Sequence, residues 1–261
     1  MGLINWKLFW VLLVACIFGV VCVIPYQLTM QAGLLEELPI PIPLHMLLLL
    51  QIIQNVVMFA VLIFVGLYLA GKVGLGVPLL ECWSHGMEIK GTLKAILGIS
   101  ILLGVLAVIL TTTLDFTFYF MFPNEPIYAI EFPRPPAWQG FLASFYGAIN
   151  EEVLNRLFLM NLLLWIFSKI GKAKGGKTRE FTAWLVIILT AIIFGLMHLP
   201  TTATLVPITL FITARAIILN GIAGIIFGWL YWKKGLESAM ISHFTADIII
   251  HGILPMLVPN I

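Results

Sequence analysis

The heptapeptide NEEVLNR, residues 150–156, lies between two apolar runs, FLASFYGAI before it and LFLMNLLLWIF after it. An ionised side chain at the centre of a bilayer costs about 3 kcal/mol even on the lowest scale. Such residues are therefore found where they face the protein interior or a water-filled cavity. The two carboxylates and the guanidinium of this segment indicate a membrane-crossing helix that carries a polar function.

The composition of the whole chain agrees with this location. Of 261 residues, 61% are hydrophobic and 10% are charged, whereas soluble domains contain about 45–50% apolar and about 25% charged residues. The net charge is only +2, and we expect no nucleic acid as a partner. No internal repeat, low-complexity tract or soluble segment interrupts the pattern. We therefore expect an all-α, polytopic protein that forms a single membrane domain over residues 1–261.

Seven apolar runs approach or exceed the ~20 residues that a spanning helix needs. They are residues 6–28, 43–70, 92–114, 139–168, 181–199, 203–232 and 237–258. The run 203–232 contains Pro207 and Asn220-Gly221, so it is either one kinked helix or two pieces, which leaves the count at seven or eight. The proline-rich stretch 116–138 argues against a regular helix and is predicted to be an ordered interfacial loop, with a lid or re-entrant segment as the alternative.

The charges of the connections predict an orientation. Eleven basic residues fall on alternate connections and one, Arg134, on the others. The eleven are Lys7, Lys72, Lys90, Lys94, Lys169, Lys172, Lys174, Lys177, Arg179, Lys233 and Lys234. The opposite connections carry Glu36, Glu37, Asp115, Glu125 and Glu131. Because loops rich in Lys and Arg lie on the cytoplasmic side of a membrane, the N-terminus is predicted to be cytoplasmic. The membrane is predicted to be the cell membrane of a prokaryote.

Helix geometry separates the two adjacent acids of the heptapeptide. Glu152 and Arg156 are four residues apart with the acid first, which is the favourable order for an ion pair. Glu151 is rotated by about 100° from Glu152, so one guanidinium does not easily serve both. We expect the Glu152–Arg156 pair to be structural and Glu151 to be free for catalysis.

Two later spans supply polar partners. His198 ends an apolar helix before Pro200, and His243 and Asp247 are four residues apart on one helix face. A carboxylate and two imidazoles that converge from three helices are typical of a water-activating site. For Arg215 and His251 we expect structural roles: a carboxylate pair or a snorkelling position for Arg215, and a place on the His243–Asp247 face for His251.

Three motifs carry a family resemblance. EExxxR at Glu151–Arg156, FxxxH at Phe194–His198 and HxxxD at His243–Asp247 occur in this order, each on its own predicted span. The chain resembles the CPBP intramembrane proteases, which include the Rce1-type CAAX endopeptidases and the Abi proteins linked to bacteriocin immunity. The resemblance covers about residues 139–258; the first hundred residues match only as generic spans.

The resemblance implies a metal-independent glutamate peptidase built around an intramembrane polar cavity. In such an enzyme Glu151 would be the general base, His198 would hold and polarise the water, and His243 would stabilise the oxyanion. Asp247 departs from a position that is often Asn, which can donate a hydrogen bond where ionised Asp only accepts. Asp247 is then either protonated, or it orients His243 and stabilises its imidazolium; we favour the second.

Two other functions stay open at this point. The histidines and acids could ligate zinc with Glu151 as base, although no H-E-x-x-H is present. Alternatively, the fold could hold a partner without cleavage, as an immunity or scaffold protein; a transporter is disfavoured because no inverted repeat is seen. The predicted substrate is a membrane-associated peptide, lipid-anchored or apolar. By analogy with the family, we expect the cavity to open to the cytoplasm. The position of Glu151, ~19 Å from the outer start of its helix, favours an opening to the non-cytoplasmic face of the membrane.

Overall fold

The computed structural model describes residues 4–37, 42–130, 132–170 and 180–257, and the side chains of Glu36, Glu37 and Ile170 are not among those described. Part of the charge pattern behind the predicted orientation therefore lies outside the described residues. This part comprises Glu131, Lys172, Lys174, Lys177 and Arg179, together with the side chains of Glu36 and Glu37.

The described chain is helical, and no strand occurs in it, which confirms the all-α prediction. The α-helices are α1 Trp6–Met30, α2 Ala32–Glu37, α3 Leu44–Val73, α4 Pro78–Ser84, α5 Lys90–Met121, α6 Pro126–Ala129, α7 Ala137–Phe145, α8 Asn161–Ile170, α9 Glu180–Leu196, α10 Leu199–Ala203, α11 Leu210–Lys234, α12 Leu236–Asp247 and α13 Leu254–Leu257. Three π-helical segments join them: π1 Tyr146–Glu151, π2 Val153–Met160 and π3 Ile248–Ile253.

Six helices of the described chain are long and apolar enough to cross a membrane, against the seven or eight predicted. They are Trp6–Met30, Leu44–Val73, Lys90–Met121, Glu180–Ala203, Leu210–Lys234 and Leu236–Leu257. The predicted span 139–168 is helical from Ala137 to Ile170, but π segments divide it and it carries the charged heptapeptide. For these reasons it is not among the six.

Two local expectations are corrected. Residues 116–121 do not belong to an irregular loop, because α5 continues to Met121 before the first proline of that stretch, Pro123. The run 203–232 is not two helices, since α11 is uninterrupted from Leu210 and passes through Asn220-Gly221, with Pro207 ahead of its start. An N-cap at Thr209, whose side chain accepts from the Ile212 amide, fixes that start.

Small residues let the helices around the site approach each other closely. Gly195, Gly224 and Gly228 line the contact between α9 and α11, where a Cβ at Gly195 would meet the backbone of Ile217. Gly104 on α5 lies against the Ser242 carbonyl of α12. Helix interfaces in membranes use small residues in this way because van der Waals contact, rather than exclusion from lipid, drives the association.

The connections that carry several of the lysines lie at one end of the bundle. The side chains of Asn5 and Lys7 bond Ser84 in α4, and the Leu236 amide donates to the Gly76 carbonyl. The start of α1, the connection from α3 to α5 and the turn after Lys234 are therefore neighbours. We call this the basic end; Asp115 near the end of α5 and Arg215 near the start of α11 lie toward the other end.

The close approach of α5 and α12 predicts a matched pair of variants. Gly104→Val places side-chain atoms against the Ser242 carbonyl, so we expect it to lower the free energy of unfolding by about 2 kcal/mol. Gly98→Val, on the same helix with nothing within 4 Å of its Cβ position, should have little effect. SDS titration of the purified proteins in mixed micelles compares the two, and equal losses would contradict this packing.

Candidate active site

The helix that carries the heptapeptide is widened where its acids lie. The π1 segment ends at Glu151, Glu152 follows, and π2 begins at Val153. Two amide side chains satisfy carbonyls along this stretch: Asn155 donates to Glu151 O at 3.0 Å, and Asn161 donates to Leu157 O at 2.7 Å. Widened turns of this kind are frequent at functional sites, because they re-aim side chains that a regular helix would place elsewhere.

Glu152 is a fully buried carboxylate with two partners. Its Oε2 lies 3.2 Å from Arg156 Nε, as the spacing of four predicted, and its Oε1 lies 2.9 Å from Nδ1 of His243. The second contact joins positions that are 91 residues apart in sequence. Glu152 therefore links the two site helices as well as neutralising Arg156.

The Arg156 guanidinium is held from several sides. Nη2 donates to the Gly224 carbonyl of α11 at 3.2 Å, and the group lies over the rings of Phe194 and Phe227, at 5.4 Å and 6.0 Å from their centroids. Removing a charge from water is unfavourable unless ionic and hydrogen-bond partners compensate. Glu152, the carbonyl and the two aromatic faces provide that compensation in the interior of the bundle.

The contacts of His243 fix how its ring is used. A carboxylate that is paired with an arginine accepts hydrogen bonds but does not donate them. Nδ1 of His243 therefore carries the proton and donates the hydrogen bond to Glu152. The other nitrogen, Nε2, lies 3.9 Å from Glu151 Oε2 and 3.6 Å from Asp247 Oδ2. The ring is stacked on Phe227 with a centroid distance of 4.5 Å. The reactive edge of the imidazole thus faces two carboxylates.

Gly147 makes room for this arrangement. A Cβ at this position would collide with Oδ2 of Asp247 and would lie 3.1 Å from Nε2 of His243. Gly147 is four residues before Glu151 and belongs to the same π segment. A glycine one turn before an intramembrane acid is the sequence signal that could have revealed this close approach.

His198 reaches the site from the end of α9. Its Nδ1 donates to the Phe194 carbonyl at 2.8 Å, because a carbonyl oxygen only accepts, and this leaves Nε2 for the cavity. The Phe194 ring stands edge-on to both imidazoles, with centroids 5.0 Å from His198 and 5.8 Å from His243. Within the described chain no ion pair joins His198 to a carboxylate. Phe194 is thus a packing neighbour of both histidines.

One cavity of about 410 Å³ collects the predicted residues. Glu151, His198, His243 and Asp247 all line it, while Glu152 and Arg156 are buried behind its wall. Its volume falls within the range of ordinary ligand pockets. Four side chains from three distant parts of the sequence thus share one space, as the site prediction requires.

The two residues predicted to be structural also line this cavity. His251 contacts the Tyr26 hydroxyl through Nδ1 at 3.3 Å, and Arg215 forms a bidentate pair with Asp115 at 2.6 and 2.7 Å. Sequence reasoning named the Arg215 carboxylate partner only in general terms and placed Asp115 in a loop. It also missed Phe227 and Tyr26, which lie in apolar helices and carry no motif.

The arrangement of donors bears on the zinc alternative. Among residues 4–37, 42–130, 132–170 and 180–257, no group of three or more His, Cys, Asp or Glu side chains is placed to hold a metal ion. Nδ1 of His243, one of the nitrogens that would be a ligand, is engaged by Glu152.

Helices of the described chain are long and apolar enough to cross a membrane, and a cavity between them is lined by acids and imidazoles. Residues 133–249 match the family model described as Type II CAAX prenyl endopeptidase Rce1-like, and the match includes all three motifs. This confirms the resemblance carried by the motifs, and this segment of the chain is similar to an Rce1-like domain. Searches among curated proteins and among solved structures found no match.

The buried ion pair predicts an asymmetric mutational response. Arg156→Met removes the buried cation paired with Oε2 of Glu152, and we expect the free energy of unfolding to fall by about 3–5 kcal/mol. The double variant Glu152→Gln/Arg156→Met removes both charges and should recover at least half of that loss. SDS titration in mixed micelles measures both variants. A double variant as unstable as Arg156→Met alone would contradict a buried ionic pair.

Proposed function

We propose that the chain is an intramembrane endopeptidase in which Glu151 activates water and His243 stabilises the oxyanion of the tetrahedral intermediate. The observation that carries the proposal is the shared cavity, where Glu151 Oε2 lies 3.9 Å from His243 Nε2. The Rce1-like family of residues 133–249 supports peptide hydrolysis as the reaction class.

Glu151 is the general base. Its carboxylate lines the cavity beside a Glu152 that is committed to Arg156, and it is placed to take a proton from water. The attacking water lies in the cavity within hydrogen-bond reach of Oε2. After attack on the scissile carbonyl, the same proton passes from Glu151 to the leaving amine.

His243 serves the oxyanion through Nε2. Since Nδ1 donates to Glu152, Nε2 donates only when the ring is an imidazolium, and three carboxylates around the ring favour this charged form. A positive donor fixed in place before the reaction is the usual means of stabilising an oxyanion. Glu152, rather than Asp247, orients the imidazole in this scheme.

Asp247 stabilises the charged ring from the Nε2 side, at 3.6 Å. His198 presents Nε2 to the cavity, where it holds the water or the incoming peptide from the side opposite His243. Since Nδ1 of His198 is a donor, neutral His198 offers a hydrogen-bond acceptor to water.

The substrate is a membrane-associated peptide, and a prenylated C-terminal segment is the class that the family description suggests. The proposed reaction uses no metal, since Glu151 supplies the base and His243 the oxyanion donor. The segment from Ala137 to Ile170 crosses the membrane as a seventh helix, because its charges face the cavity or the core. The protein lies in a prokaryotic cell membrane with a cytoplasmic N-terminus, as the lysine-bearing basic end supports.

The assignment of Glu151 predicts loss of cleavage without loss of fold. Glu151→Gln keeps the shape of the side chain and removes the base, so cleavage of an S-farnesylated fluorogenic peptide should fall by at least about a hundredfold. Glu180→Gln, at an exposed position at the start of α9, is the matched control and should cleave normally. Full cleavage by purified Glu151→Gln protein would refute the assignment.

The same assay separates the zinc alternative from the metal-independent reaction. Wild-type activity should survive incubation with a strong chelator followed by its removal, and elemental analysis should find less than stoichiometric zinc. Loss of activity that added zinc restores would replace the proposed mechanism with a metal-dependent one.

The role of Asp247 predicts a moderate loss. Asp247→Asn removes a negative charge 3.6 Å from Nε2 of His243, so the imidazolium is less favoured and kcat should fall at least about tenfold. Unchanged or higher activity would instead mean that a protonated Asp247 donates to the oxyanion, because Asn can replace that donor.

A further inference from the structure

The ion pair between Asp115 and Arg215 lies on the wall of the same cavity, away from the acids of the active site. Arg215 Nε and Nη2 donate to the two carboxylate oxygens at 2.7 and 2.6 Å. The Tyr128 hydroxyl also donates to Asp115 at 3.3 Å, and burial raises the pKa of Tyr128, which keeps this donor protonated. The guanidinium is thereby fixed against α5.

Stability alone gives little reason for this pair. Replacing a partly buried ion pair by apolar side chains is often neutral or stabilising. Ionisable residues within membrane segments are functional candidates by default. The side chains of Asp115 and Arg215 are 36% and 22% exposed, and both residues line the cavity.

The guanidinium has donors left for a ligand. An arginine carries five N–H groups; the pair with Asp115 uses one on Nε and one on Nη2, and the Tyr128 hydroxyl is a further hydrogen-bond partner of the guanidinium. Two N–H groups remain, which is the number that a second carboxylate takes in a bidentate pair. Asp115 and Tyr128 fix the group without using these two.

The separation from the reaction centre suits a short peptide. Phe227, which stacks on His243, is twelve residues from Arg215 on α11, or about 18 Å of helix. On α5, Gly104 lies against Ser242 and is eleven residues from Asp115, or about 16 Å. The arginine side chain shortens this distance, so an extended peptide covers it with roughly three to five residues.

We propose that Arg215, held by Asp115, is a subsite for a carboxylate of the substrate, three to five residues beyond the scissile bond. The inference rests on the proposed peptidase function and adds the feature that sets the distance between the cleaved bond and the chain end. The carboxylate is either the free C-terminus or an acidic side chain near it.

Binding to an inactive protein tests the subsite separately from cleavage. The host is purified Glu151→Gln protein in nanodiscs, and the probes are fluorescent peptides with an S-farnesyl cysteine and three apolar residues after it. One probe ends in a free acid and one in a carboxamide; a third is a carboxamide whose last residue is Glu. We expect the acid to bind at least roughly tenfold more tightly than the first carboxamide.

Two variants in this host assign the preference to Arg215. Asp115→Asn/Arg215→Gln replaces the pair by two neutral hydrogen-bonding groups, and the ratio of acid to carboxamide affinity should fall to about one. Asp115→Asn alone keeps the guanidinium, and the ratio should stay the same or rise. The carboxamide should bind similarly to all three proteins, which a merely structural defect would not allow.

The outcomes distinguish the two proposals. If the third probe binds as tightly as the acid, the subsite accepts side-chain carboxylates. If it binds as weakly as the first carboxamide, the subsite accepts only the C-terminal carboxylate. Both results support the subsite. Equal affinity of acid and carboxamide in the host, binding of neither, or a ratio unchanged in the double variant would overturn it. Acid-selective binding by a wild-type protein that cleaves no peptide would leave the subsite standing and refute the peptidase.

Discussion

The site depends on one buried carboxylate. Glu152 forms an ion pair with Arg156 of its own helix and accepts a hydrogen bond from His243 of α12, so a single side chain fixes a cation in the core and a ring in the cavity. A carboxylate with no access to water must be compensated on both oxygens, and this requirement determines which groups can surround it. Glu151, one position earlier, is then exposed to the cavity because its neighbour has taken the internal partners.

The surrounding packing follows from holding these charges in a membrane. Phe194 and Phe227 cover the guanidinium of Arg156 and also contact the ring of His243, which keeps water from the ion pair. Glycines at the crossings of α5 with α12 and of α9 with α11 let the backbones approach. The resulting cavity is lined both by His243 and by Arg215.

The sequence predicts those features of the arrangement that depend on residues close together along the chain. Apolar runs locate the helices, and spacings of four identify the Glu152–Arg156 pair and the shared face of His243 and Asp247. The contact of Glu152 with His243 joins positions that are far apart in sequence, and helical spacing does not predict contacts of this kind. The sequence therefore leads to Asp247 as the residue that orients His243, whereas the contact to Nδ1 comes from Glu152.

The π segments and the full length of α5 could not be predicted from the sequence, and each has a physical reason. The π segments change the angular relation between Glu151 and Glu152 assumed for a regular helix, and periodicity in a uniformly apolar segment does not reveal them. A charge at Asp115 and the later prolines predict a helix end at this point, but α5 continues past it to Met121. A helix can retain an aspartate at this point because Arg215 neutralises it.

Nitrogen-15 NMR of histidine-labelled protein measures the protonation of His243, with His243→Gln supplying the assignment among the five histidines. We expect a proton on Nδ1 that is hydrogen-bonded to Glu152, and a change in the Nδ1 signal when Glu152 is replaced by Gln. An unprotonated Nδ1, or an Nδ1 signal that does not change on this replacement, would show that Glu152 does not hold the ring of His243.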